Sequence, residues 1–338
     1  MNWQAPNLAK CVFSLWLLLL AAGCATTTAK DGATYTSGEF FESEDFIVVV
    51  AKPGDSPQSL ALKFLGQASK DWMIEDYNGS ASISAGQAVV IPKRYWNIAG
   101  VESSGYQLVP ILCYHNIAPQ ARGRLTIAVK TFEEQMGYLK SQGYRVINLK
   151  EFVEFVSLQR QLPKKSVVIT FDDGYKSFLQ YAQPILNQFG FTATLFVYTD
   201  YVGMGANALT WPDLKKLLQD GFNIEGHSKS HSNLKRTSSE SAAEYNKRLT
   251  AELSQSRDIF QKNLGQTPAI LAYPFGAQDD TVVQRTKEAG YTAAFTVRPQ
   301  ANPSFVERLR IHRTQIFSEM TLDDFSKYLN LFNQEKLQ

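Results

Sequence analysis

Two carboxylates stand side by side in Thr170-Phe171-Asp172-Asp173-Gly174, at the end of the apolar run Val167-Val168-Ile169. Adjacent carboxylates are costly unless a cation or a proton is shared between them. On a regular strand they would face opposite ways. At a strand end, with Gly174 freeing the backbone, both can turn into one pocket. Farther on, His227-Ser228-Lys229-Ser230-His231 follows Phe222-Asn223-Ile224-Glu225-Gly226. Two imidazoles at i and i+4 converge on one metal if that turn is helical. Asp173, His227 and His231 would then give three protein ligands and leave a coordination position for water, the pattern of a catalytic metal site. Taken singly, the first motif also reads as a plain surface turn and the second as a pair of solvated loop histidines.

These residues need a frame, and hydrophobic periodicity predicts one. Strand-like runs at Val109 to Tyr114, Val167 to Phe171, Thr192 to Tyr198, Ile270 to Tyr273 and Thr292 to Val297 alternate with helical spacing at Thr131 to Gln142, Tyr175 to Phe189, Trp211 to Leu218 and Ser239 to Leu264. A last helix is expected over Thr321 to Phe332. Thr210 suits an N-cap with Pro212 in the first turn, and Gly265 suits a C-cap. Repeated strand–helix alternation predicts an α/β fold with a parallel sheet, open or closed into a barrel. All four histidines, His115, His227, His231 and His312, fall at strand edges or in the loops after strands, where such folds build their sites.

Ahead of this region the chain reads differently. Cys11 to Gly23 is an apolar stretch too short to span a bilayer comfortably, as in a signal peptide. It closes on Leu20-Ala21-Ala22-Gly23-Cys24, which resembles a bacterial lipobox and makes Cys24 the expected lipidated residue. The organisation expected is therefore a signal peptide over 1–23, a lipidated tether over 24–44, a βααβ module over 45–93, a linker over 94–108 and the catalytic domain over 109–335. Export and a lipid anchor in the inner or outer membrane, facing periplasm or exterior, follow as expectations. Cys113 is the one cysteine of the folded part, so a disulfide framework is not expected there. A net charge of +2 without a basic block argues against nucleic acid as partner, and nothing implies an obligate protein partner.

Two resemblances sharpen this. Gly54-Asp55-Ser56, Leu60-Ala61, Asn78, Gly86-Gln87 and Ile91-Pro92 resemble a LysM domain, a family that binds N-acetylglucosamine-containing glycans such as peptidoglycan and chitin. The Asp-Asp and His-x-x-x-His motifs, followed by Tyr273-Pro274-Phe275-Gly276 and Ile311-His312, resemble the carbohydrate esterase family 4 (NodB-homology) polysaccharide deacetylases over about Val109 to Leu329. That resemblance implies a distorted parallel (β/α) barrel. It implies that Asp173, His227 and His231 hold a divalent metal, usually zinc, and that Asp172 is the general base. It implies an oxyanion-holding backbone N–H near Phe275, beside Tyr273, and His312 as the general acid. Val109 to His115 is similar to the opening strand of the branch acting on poly-N-acetylglucosamine, which places His115 near the site.

The third motif departs from the family. Many members carry an arginine two residues before the proline, which orients the base; here that position is Ala272. Asp172 would then be tuned by another cation, or its pKa would differ. Two other readings stand beside the deacetylase. One is a catalytically impaired glycan-binding envelope lipoprotein, which Ala272 keeps open. The other is a non-haem iron oxygenase, since two histidines and a carboxylate also bind Fe(II), although the second aspartate has no role there.

Overall fold

The computed structural model describes residues 34–335. The expected signal peptide, Cys24 and residues 24–33 of the expected tether lie outside the described residues. Among the described residues no helix is long and apolar enough to cross a membrane.

The N-terminal module has the expected strand–helix–helix–strand order: Phe46–Val50, Pro57–Leu65, Asp71–Asn78 and Ala88–Pro92. Ser56 caps the first helix with a capping box and Pro57 enters its first turn. The Asn78 side chain donates to the Ile74 and Val90 carbonyls and accepts from the Val90 N–H, tying helix to strand. The expected start at residue 45 is too late. Phe40–Glu42 adds an antiparallel strand to Phe46–Val50, and Tyr35 packs in the same core. The Gly/Ser/Thr composition of the preceding stretch hides this, because a strand paired at one edge needs few apolar side chains.

The expected linker is also ordered. Val101–Glu102 and Gly105–Gln107 pair with each other, and Phe332–Gln334 completes a three-stranded sheet. The last helix accordingly stops early, spanning Leu322–Lys327. Antiparallel pairing captures the residues after it, overriding a helical spacing.

The catalytic domain is a parallel sheet curled into a distorted barrel with helices outside. Its strand order is Ala293–Phe295, Ile270–Ala272, Asn223–Gly226, Thr194–Val197, Ser166–Asp173, Ile111–Tyr114 and Thr314–Gln315, with Arg145–Val146 added beside Ser166. The two edges meet at Ile311: its N–H donates to the Ala294 carbonyl at 2.9 Å and its carbonyl accepts from the Thr296 N–H at 2.8 Å. Side-chain alternation divides the core. Val167, Ile169 and Phe171 pack outward against helices through Phe132, Met136 and Phe178. Val168 packs with Ile111, Phe196, Ala272 and Phe295 on the other face. Asp172 continues that second set, so the strand itself aims its carboxylate into the barrel.

Candidate active site

Asp173 ought to face the helices by the same alternation. It does not, because its φ is +76° and that of Gly174 is +88°. The left-handed turn begins on Asp173 itself, one residue earlier than Gly174 alone suggests. Gly174 is required for a second reason: a Cβ there would lie 3.0 Å from Val197 Cγ1. The two histidines converge without a helical turn; residues 227–231 form an irregular loop in which Ser228 (φ +68°) and His231 (φ +62°) are left-handed. Phe275 also has positive φ, at +60°. Four of the five non-glycine residues with positive φ among the described residues are thus Asp173, Ser228, His231 and Phe275. Conformations costing roughly 1–3 kcal/mol each persist only where the surroundings enforce them, and they gather at sites.

The result is a compact cluster. Asp173 Oδ1 lies 3.6 Å from His227 Nε2 and 3.4 Å from His231 Nε2. One ligand atom from each of the three falls within 4.8 Å of the others. Asp173 Oδ1 is buried and has no hydrogen-bond partner, while the Tyr175 hydroxyl bonds the carboxylate elsewhere. His227 Nδ1 sits 2.7 Å from the Ala272 carbonyl, so that nitrogen carries the proton and Nε2 presents a lone pair. Burial lowers the His227 pKa to about 3 and pushes His231 down as well, keeping both imidazoles neutral. Burial, with Asp172 nearby, lifts Asp173 to about 6. An unpartnered buried carboxylate oxygen facing two neutral imidazoles fits a divalent cation, which would supply the missing partner.

Comparison with known proteins agrees with this geometry. The family profile "Polysaccharide deacetylase" matches residues 159–294. YxkH of Bacillus subtilis (strain 168), which carries the name of a polysaccharide deacetylase, is 28% identical over 221 residues, 65% of this chain and 76% of its own length. A poly-beta-1,6-N-acetyl-D-glucosamine N-deacetylase of Staphylococcus aureus (strain MRSA252) is 27% identical over 55% of this chain and 68% of its own. Among solved structures, the Streptococcus pyogenes deacetylase PplD in complex with acetate superposes with a TM-score of 0.59 at 27% identity, covering 66% of this chain and 98% of that one. The chain carries a polysaccharide deacetylase domain. That domain is an enzyme's.

The deacetylase holds Asp172 with a residue that sequence reasoning missed. Arg313 is fully buried and forks onto the carboxylate, Nη1 to Oδ1 at 2.6 Å and Nη2 to Oδ2 at 2.8 Å. Its Nε donates to the Thr296 carbonyl, and its guanidinium lies 5.1 Å from the Phe196 ring centroid. Burial alone would push Asp172 up, but the Arg313 charge and its forked hydrogen bonds hold it well below the usual carboxylate range. The cation absent at Ala272 is therefore supplied from the strand across the barrel closure. The signal was available: Arg313 directly follows His312 next to the closing strand Thr314–Gln315, in phase with the inward face.

Glu252 was missed too. The helix expected over Ser239 to Leu264 runs from Ala242 but contains a π-helical segment, Ala251–Gln255. That bulge turns Glu252 toward the histidine loop, where it accepts from the backbone N–H of Lys229 (3.0 Å) and Ser230 (2.9 Å) and from the Ser230 hydroxyl. Ser256 donates to the Ser228 carbonyl. The loop is thus held at Ser228 and at the two residues between its left-handed positions.

The other expected residues divide. His115 lies beside the carboxylate pair, with one atom each of Cys113, His115 and Asp172 within 4.8 Å, and its Nδ1 is buried without a partner. Phe275 is 63% exposed, and its ring centroid is 4.7 Å from that of His231. His312 stands outside the ligand cluster, on a cavity bounded by Gly276, Thr296 and Arg298. Its backbone is pinned on both sides by Asn302. Tyr273 does not reach the site with its side chain: it is fully buried and its hydroxyl donates to the Leu309 carbonyl. It precedes the third-motif turn as a packing residue, because strand alternation points it outward.

Proposed function

We propose that this protein is a metal-dependent N-deacetylase of an N-acetylglucosamine-containing cell-envelope polysaccharide, releasing acetate. The observation that carries this reading is the partnerless Asp173 Oδ1 facing His227 and His231, with Asp172 held ionised beside it. Asp173, His227 and His231 would hold a divalent cation, zinc on this proposal, which would supply Lewis acidity toward the acetyl carbonyl and lower the pKa of water. Asp172 accepts the proton of the attacking water. Its Arg313 fork keeps the carboxylate charged and oriented for that task. The Phe275 backbone N–H donates to the developing oxyanion. His312 protonates the departing amine, so amide and water become amine and acetate.

The named substrate of the Staphylococcus aureus relative supports poly-N-acetylglucosamine; the LysM-like N-terminal module supports peptidoglycan or chitin-like polymers. Both present the same acetamido sugar. Lipidation at Cys24 would keep the enzyme on a membrane facing the envelope glycan. The impaired-lipoprotein reading loses its main support, since Arg313 occupies the role left open by Ala272.

The test is acetate release from N-acetylated chitooligosaccharide and poly-N-acetylglucosamine, with and without chelator. Wild type is expected to release acetate, chelator to abolish it and added zinc to restore it. Asp172→Asn is expected to lose activity by about 10²–10⁴-fold, the range for a general base. An Asp172→Asn rate equal to wild type overturns the mechanism, and oxygen consumption without acetate points to the iron oxygenase.

A further inference from the structure

Two cavities flank the catalytic cluster. One, of about 590 Å3, is lined by Arg122, Tyr175, Lys176 and Tyr201 among others. It abuts the metal-ligand set through Tyr175, which bonds Asp173, and through Tyr201, stacked at 5.1 Å on Tyr198, itself 5.1 Å from His231. Its volume is that of a small-molecule site, typically about 300–1,000 Å3. The other, of about 250 Å3, is lined by Gly276, Arg298, Arg310 and His312. Neither cavity is lined by a single carboxylate. Two of the four basic lining residues are neutralised: Lys176 by Asp213, and Arg310 by Glu307 and Asp280. The guanidinium groups of Arg122 and Arg298 are exposed and have no side-chain partner among the described residues. The charge of Arg298 reaches the site, adding to burial in lowering the pKa of His312.

We infer that Arg122 and Arg298 make this cleft discriminate against sugars that have already lost their acetyl group, so that the enzyme acts where the flanking residues are still acetylated. The inference rests on the deacetylase reading and extends it to the pattern of the product. Each turnover converts a neutral acetamide into an amine that, with a pKa near the α-amino value of about 8, is protonated at pH 6.5. A polymer threaded through the cleft then places that cation against an unpaired arginine on one side or the other. A like-charge pair about 7 Å apart at intermediate dielectric is worth about 5- to 10-fold in rate. Tyrosine faces and amide groups, such as Tyr175, Tyr201 and Gln180, still accept a neutral acetamido sugar. Deacetylation would therefore leave glucosamine units spaced along the chain rather than in runs.

The experiment compares kcat/KM per acetyl group of the metal-loaded full-length chain on fully N-acetylated chitotetraose and on the tetramer retaining one acetyl, at pH 6.5. The expected ratio is about 5–10 in favour of the fully acetylated tetramer at low salt, shrinking toward unity in high salt. In the double variant Arg122→Gln, Arg298→Gln the ratio is expected to fall to about 1–2; using a ratio cancels any effect of the variant on His312 itself. Equal rates for wild type on both tetramers overturn the inference. So does a preference that survives both high salt and the double variant, since it would then come from acetyl contacts. Absence of acetate from the fully acetylated tetramer sinks the deacetylase reading, and the inference with it.

Discussion

Arg313 and Asp172 form a buried pair whose members are useless apart. Replacing Arg313 with Met leaves a fully buried carboxylate with its main counter-charge gone. In wild type Asp172 is depressed below its unfolded value, so it adds stability above about pH 4 that is lost as pH falls. In Arg313→Met burial is no longer offset, the folded pKa rises above the unfolded one, and the deficit grows as pH rises through that value. Breaking such a pair costs about 3–5 kcal/mol. Urea unfolding of the chelated protein should show the largest deficit at pH 7 and a smaller one near pH 4, where the wild-type pair is still ionised. Asp172→Asn added to Arg313→Met should recover most of the stability but no activity. The acid limb of the kcat/KM profile should move to higher pH in Arg313→Met, because the base must be ionised; an unmoved limb would mean that Arg313 does not tune Asp172.

At the scale of elements, the histidine loop is shaped from outside itself. Two left-handed residues hold the imidazoles 4.8 Å apart between ring centroids, and the π bulge of the Ala242–Leu264 helical stretch supplies the clamp through Glu252. Removing it frees two backbone donors and the Ser230 hydroxyl, so the loop can relax out of its strained conformation. Glu252→Ala is expected to weaken zinc binding about 10- to 100-fold, the usual effect of losing a support behind metal ligands. Competition with a chromophoric chelator measures this without any substrate. Unchanged zinc affinity would show that the loop keeps its shape without the clamp.

In the whole molecule, the N-terminal module is held against the barrel. Arg145 bonds Asp71 at 3.0 Å and Glu75 at 2.8 Å, and the Lys164 N–H donates to Asp76 at 2.9 Å. Trp72, which packs against Tyr95 and Trp96 of the connecting segment, lines the same junction. Arg145 is partly solvated, so its contribution is that of a screened pair, about 1 kcal/mol or less per contact. Arg145→Ala should loosen the docking without unfolding either part. Small-angle scattering should report a larger radius of gyration and limited proteolysis a new cut between residues 93 and 101, while acetate release from a short oligosaccharide stays unchanged. An unaltered scattering profile would assign the docking to the aromatic contacts instead.

Much of the architecture was readable in order along the chain. The apolar run from Val167 to Phe171 marked the strand that carries Asp172, and Thr210 and Gly265 marked helix ends, because these signals are local. The types and spacing of Asp172, Asp173, His227 and His231 marked the chemistry, because few residue types hold a cation. What the chain order could not show is whatever depends on elements distant in sequence. Arg313 meets Asp172 across 141 positions, because the barrel closes at Ile311. The Phe332–Gln334 strand pairs with Gly105–Gln107 against its helical spacing, and Tyr273 turns into the core although it stands inside a site motif. Side-chain direction was the common failure: one left-handed residue, Asp173, turns a carboxylate from the helix-facing side to the cleft, and only the packed structure enforces that turn.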